Sequence, residues 1–336
     1  MATLASNVLT IVDWAKRLDP DGSTSVIAEL LSQTNEILED MLWAEGNLPT
    51  GHRLTMRTGL PAVAWRLLNA GVAPSKSTTA QVDEGVGMLE AYSEVDKDLA
   101  ELNGNLASFR LSEGRAFVEA MNQRMALTLM YGNRTTAPEE FTGLANRYST
   151  LSGTIAQNVL SGGGAGVDNT SIWLVGWGEA GVYGIFPKGS RAGLMQEDLG
   201  LVTVETANGI GGGRMRAYRD HWQWKCGFAQ KDWRYVVRIC NIDVSNLIAE
   251  TSAADVIKLM SRAMDRIPHF GMVRPVFYMN RTVYSMLRIQ ALAKASNVLA
   301  VEKGLSQFGT PMTWMSFLGV PIRRVDQITL GEATIV

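Results

Sequence analysis

From Leu106 to Tyr131 the sequence reads as one long helix, with Phe117, Met121, Met125 and Leu129 at i+4 spacing. Gly132 fits the left-handed position that commonly follows a helix. The run Tyr131-Gly-Asn-Arg-Thr-Thr-Ala-Pro-Glu-Glu-Phe-Thr-Gly-Leu-Ala-Asn-Arg-Tyr148 then opens a Gly-rich, Trp-rich region whose apolar period is two. One long helix feeding a β region sets the class as α+β.

The segments before this helix are of another kind. Residues 3–18 and a stretch from Ser23 to Gly46 read as two amphipathic helices, separated by Asp19-Pro20-Asp21-Gly22. The second carries Ile27, Leu30, Leu31, Ile37, Leu38, Met41 and Leu42 on one stripe. Arg53-Leu-Thr-Met-Arg-Thr58 alternates, with Leu54 and Met56 on one face and Arg53, Thr55 and Arg57 on the other. A second polar strand lies within Thr78–Met88, and the Pro- and Gly-broken stretch between suits a projecting hairpin. Ser93-Glu-Val-Asp96 resembles a capping box, and Asn103-Gly-Asn105 interrupts the helix it would start.

After Ser171, Ile172–Val175 and Val182–Phe186 read as strands. Trp222, Trp224, Cys226 and Phe228 share one strand face. Beyond a turn at Ala229–Asp232, so do Trp233, Tyr235, Val237 and Ile239, which predicts a hairpin from Asp220 to Ile242. Further on, Ser252 caps a helix ended by Pro268, Pro275–Met279 is a strand, Asn280 caps another helix, and Phe317–Val325 is a strand pair or bent strand. Helices alternating with strands imply a sheet covered by helices.

Composition narrows the functions open to such a chain. Its 336 residues suffice for a large core and two subdomains. A net charge of −2 argues against a strongly basic nucleic-acid binder, though not against a container for DNA. The first residues lack a basic then apolar leader, and no apolar run approaches the ~20 residues of a membrane helix. The expectation is a soluble protein made in the cytoplasm. Cys226 and Cys240 lie on neighbouring predicted strands, where a bridge is geometrically open; a reducing compartment favours two buried thiols.

Catalytic signatures are weak. Gly176-Trp-Gly-Glu-Ala-Gly181 matches a dinucleotide fingerprint, but its glycines must open a helix, and a strand follows. The segment reads as a hairpin turn. Gly162–Gly164 and Gly211–Gly213 lack the Lys-Ser/Thr and helix of a phosphate loop. His52, His221 and His269 show no metal-ligand spacing. No catalytic, cofactor or metal residue is predicted, and the chain is read as a non-enzyme. Trp222, Trp224, Trp233 and Tyr235 are read as core or inter-subunit contacts, with sugar stacking as the alternative. Arg234 and Arg238 on the opposite face, like Arg53 and Arg57 on the hairpin, are candidates for pairing with a neighbour; a solvated face is the simpler reading.

The middle of the chain resembles the major capsid proteins of tailed double-stranded DNA phages with the Hong Kong 97-like fold. Tyr131, Gly132, Asn133, Pro138, Glu139, Phe141, Gly143, Leu144, Arg147 and Tyr148 carry the resemblance. Val182–Lys188 and Phe317–Asp326 support it. The resemblance implies an N-terminal arm at 1–47 and an extended β-loop at 48–92. It also implies a peripheral domain at 93–249 with a long spine helix and β-sheet, and an axial α/β domain at 250–336 with a returning C-terminal strand. It implies self-assembly into pentamers and hexamers of an icosahedral shell enclosing double-stranded DNA without sequence-specific contacts. Scaffolding, portal and decoration proteins would be partners, no membrane or cofactor would be needed, and the subunit would reside in the virion after synthesis in the host cytoplasm. A cellular nanocompartment shell of the same fold is the nearest alternative; a carbohydrate-binding β protein is the alternative from another class.

Overall fold

The computed structural model describes residues 31–102, 106–205, 214–250, 253–293, 299–305 and 311–336. The first predicted helix, most of the second, Asn103–Asn105, Gly211–Gly213 and Ser252 lie outside them. The elements in chain order are α1 (Ile37–Asp40), β1 (Trp43–Glu45), β2 (Gly51–Gly59), β3 (Thr78–Asp96), α2 (Lys97–Glu101), α3 (Leu106–Tyr131) and α4 (Leu144–Arg147). There follow β4 (Val159–Ser161), β5 (Asn169–Trp177), β6 (Val182–Phe186), β7 (Leu194–Glu205), β8 (Arg214–Gln230) and β9 (Val236–Asp243). The last are α5 (Val244–Ala249), α6 (Val256–Met264), β10 (Arg274–Met279), α7 (Arg281–Ala293), β11 (Leu299–Leu305), β12 (Pro311–Phe317) and β13 (Val320–Arg324). They form two compact units, with β3, α3 and β8 each divided between them.

The larger unit holds residues 34–87, 126–191 and 226–336. Its centre is β5, all nine of whose residues are buried. An apolar strand closed on both faces must be flanked on both edges. Here β5 pairs antiparallel with β10 on one edge and β9 on the other. Beyond β10 the sheet continues through β13, β12 and β11; beyond β9 it ends at β4. One face packs Ile172, Leu174, Val237, Ile239 and Phe277 against Val256, Met260, Val283 and Leu287 of α6 and α7. Asp255 caps α6 by accepting from the Lys258 amide, and the Asn280 side chain accepts from the Thr282 amide at the start of α7.

The smaller unit takes in 88–125 and 192–225. In it β7 runs antiparallel to β8, from Leu194↔Trp224 to Glu205↔Arg214, with the register broken at Gly200, where φ is +67°. Val95, Ala100 and Phe109 make a small core with Leu106 and Tyr218. Asp96, not Ser93, caps the helix here: β3 continues through Ser93, and the Asp96 carboxylate accepts from the Asp98 and Leu99 amides.

Four expectations need correction. The hairpin from Asp220 to Ile242 does not form, because β8 pairs with β6 and β7 while β9 pairs with β4 and β5. Trp233–Tyr235 is a single 3₁₀ turn between them, held by Asp232 accepting from the Arg234 amide. The second N-terminal helix shrinks, among described residues, to one turn at Ile37–Asp40. Trp43–Glu45 instead joins β6 as a parallel strand, from Trp43↔Gly184 to Glu45↔Phe186, which gives backbone groups on that edge of β6 partners. Gly176–Gly181 is a tight turn, with Gly178 N donating to Val182 O at 3.0 Å, but the strands it joins meet only at Trp177↔Val182. Gly132 is not left-handed; it adds one more helical bond, donating to Thr128 O at 2.8 Å.

Candidate assembly surfaces

The motif from Tyr131 to Tyr148 sits at the base of the β2–β3 hairpin. Gly132 and Gly143 are pinched together: Gly143 N donates to Gly132 O at 2.8 Å, and a Cβ on either would lie 2.5 Å from Thr128 O. That pinch seats Phe141 and Leu144 in the core. It also aims Arg147 at Glu84 of β3, with Nη1 and Nη2 donating to the two carboxylate oxygens at 2.6 and 2.7 Å. Both side chains are largely buried, so this two-point pair fixes the root of the hairpin. Tyr148 is fully buried and donates to Trp233 O at 2.6 Å; burial pushes its phenol far above the ordinary value.

Above that root the hairpin is exposed. Arg53 of β2 meets Asp83 of β3 directly across the ladder, with bonds of 2.7 Å from Nε and Nη2, and this pairing lowers the Asp83 pKa. Arg57 faces solvent further out. The connection from Leu60 to Ser77 is exposed throughout, and it is apolar at its tip: Trp65 is fully exposed, as nearly are Leu60, Val63, Leu67 and Leu68. Five large apolar side chains on one loop exceed the scattered exposure usual on a monomer surface. The signal was in the sequence, as Leu60-Pro-Ala-Val-Ala-Trp-Arg-Leu-Leu68, but proline and glycine on either side mark it as a generic loop.

The other predicted contact residues do not come together. Trp222 is buried in the smaller unit, its ring 3.1 Å from where a Gly114 Cβ would stand, and Trp224 is half-buried nearby. Trp233 is half-buried in the larger unit, and Tyr235 is inside its main core. Trp222 and Tyr235 are thus closed to a sugar. Arg234 is exposed but bound to its own Asp232 at 2.7 Å. Arg238 is neither solvated nor facing outward. It is buried over the Trp173 ring at 4.8 Å and donates to Glu332 at 2.8 Å, Ser171 at 3.0 Å and Tyr148 O at 2.9 Å. A guanidinium taken from water needs partners inside, and here each of its three nitrogens donates.

Cys226 and Cys240 are buried, unbridged thiols on strands that do not pair. Burial pushes the Cys240 pKa up to about 11 and that of Cys226 higher still. A cavity of about 280 Å³ lies among α5, α6 and α7, walled by Leu247, Ala254, Met286 and Ile289 with Glu250 and Asp255. Among the described residues, no group of three or more His, Cys, Asp or Glu could hold a metal, and no helix is long and apolar enough to cross a membrane.

Residues 19–336 match the family model of the major capsid protein GP7. The chain belongs to that family. The capsid protein in the structure of bacteriophage Epsilon15 is 34% identical, with a TM-score of 0.77, covering 100% of this chain and 99% of that one. This capsid subunit therefore has the Hong Kong 97-like fold. Fainter likenesses include a Microbacterium phage Oxtober96 chain, at 11% identity and TM-score 0.43, covering 68% of this chain and 98% of that one. An encapsulin from Synechococcus elongatus PCC 7942 gives 11% and 0.42, covering 70% and 96%. At that level they carry no argument about cargo. No curated protein sequence matches the chain.

Proposed function

We propose that the subunit closes into pentamers and hexamers of an icosahedral shell around double-stranded DNA, with the loop between β2 and β3 as its reaching contact. The observation that carries this reading is the apolar tip of that loop, Leu60 to Leu68, which no part of its own larger unit covers. An apolar patch held out on a hairpin gains ~25 cal/mol per Å² when a second copy covers it. Such contacts are heterologous, one patch meeting a different one, and close only under rotation. Residues 1–47 serve as the arm, 48–92 as the extended loop, 93–249 as the peripheral domain and 250–336 as the axial domain. Scaffolding, portal and decoration proteins are the other partners. The packaged DNA is enclosed without sequence readout, consistent with a net charge of −2. The subunit works as a structural protein of the virion, made in the host cytoplasm.

Replacing residues 61–76 by a short turn between β2 and β3 tests this. The subunit is expected to keep its circular dichroism spectrum and melting temperature while forming no shells. Unfolding of the variant would place the loop in the core and contradict the reading.

A further inference from the structure

The last nine residues lie on the larger unit as a strap with five fixed points. Ile328 is fully buried, and its carbonyl accepts from Asn280 Nδ2 at 2.7 Å. The Thr329 carbonyl accepts from the Thr170 hydroxyl at 2.8 Å, and its amide donates to Tyr131 Oη at 3.1 Å. Glu332 donates from its amide to Asn169 O at 2.8 Å. Its buried carboxylate accepts from Tyr131 Oη at 2.6 Å, from Arg238 Nη2 at 2.8 Å and from the Ser171 hydroxyl. Ile335 and Asn241 bond reciprocally, amide to Oδ1 and Nδ2 to carbonyl, both at 2.8 Å. Asn241 adopts a φ of +54° there, a conformation asparagine tolerates better than most residues. Val336 O accepts from the Leu151 amide at 3.1 Å, yet the Val336 side chain is almost fully exposed.

Glu332 is thus the one acid among the described residues that forms an ion pair with Arg238, and without it a buried cation stands beside the carbonyls of Ala145 and Tyr148. Removing one member of a buried pair costs far more than the pair contributes, because the survivor is left uncompensated. We infer that residues 328–336 are a locking strap: docking of Glu332 on Arg238 closes the Tyr131–Tyr148 motif, so shortened chains are kept out of shells, whereas chains extended past Val336 enter them.

Four variants test the lock: deletion of 331–336, Glu332→Gln, the pair Arg238→Met with Glu332→Leu, and a ten-residue Gly/Ser extension after Val336. Amide hydrogen exchange and electron microscopy are the readouts; the exchange result stands whether or not shells form. The deletion and Glu332→Gln are expected to speed exchange at least tenfold in Tyr131–Tyr148, β5 and β9, with smaller change in α6 and α7. The apolar pair is expected to regain most of the protection, and the extension to match the parent. If the deletion fails to fold, the comparison of Glu332→Gln with the apolar pair decides. Parental exchange in Glu332→Gln, or an apolar pair as unprotected as the single variant, would overturn the lock.

Discussion

Gly132 and Gly143 stand where no side chain fits. A Cβ on Gly143 would lie 2.5 Å from Thr128 O and 2.8 Å from Leu129 O, both backbone atoms that cannot rotate away. Gly143→Ala is therefore expected to destabilise the subunit by ~1–3 kcal/mol, the usual cost of overpacking, and a thermal melt would show it. The two glycines were legible in the sequence as part of a motif, but the left-handed role assigned to Gly132 was wrong. The contact that makes it glycine comes from Phe141 and Thr128, and chain-local rules do not see a strand-like return. Arg238 misled for a similar reason. Period two placed it correctly on the face opposite Val237 and Ile239, but not the carboxylate 94 residues away that lets it be buried. The cysteines give a separate check. With both pKa values raised by burial, neither thiol should react with a thiol-selective reagent at pH 8 in the folded protein, and both should react in denaturant. Reaction of either in the native state would show that β8 or β9 opens.

Among the elements, the strands buried on both faces read most plainly. The short apolar runs in β5, β6 and β10 predicted strands that the structure places inside. Pairing was less legible. The segments that became β8 and β9 are adjacent in sequence with aromatic faces in phase, so a hairpin was the local answer. The structure instead pairs β8 with β6 and β7, and β9 with β4 and β5, partners that the local pattern does not specify. Helix α3 also departs from a uniform stripe: residues 125–130 are buried on nearly every side, whereas Leu111 and Val118 nearer its start are exposed. Trp222 packs on this helix at Gly114, and Trp222→Ala should cost ~3–5 kcal/mol, measured by denaturant unfolding. A cost below 1 kcal/mol would mean the ring is not a core element. Trp65 makes the contrast. It is fully exposed, so Trp65→Ala should change subunit stability by no more than ~0.5 kcal/mol. The same change should impair assembly, seen as a higher subunit concentration needed for shell formation.

For the whole molecule, the order of elements carried the fold among the described residues: hairpin, long helix, sheet, then alternating helices and strands. That order survives errors of pairing and capping because each segment's apolar period dictates what it must be buried against. Function was legible only through the resemblance motif, since a container works through surfaces and no residue type announces a surface. The apolar tip of the hairpin became visible only when its neighbours were seen to leave it uncovered. Electron microscopy with multi-angle light scattering of the purified chain, alone and coexpressed with a scaffolding protein from a related phage, tests the central claim most directly. Closed shells or capsomer-sized species far above the 36.6 kDa subunit are the predicted result; a monodisperse 36.6 kDa monomer under both conditions would contradict it.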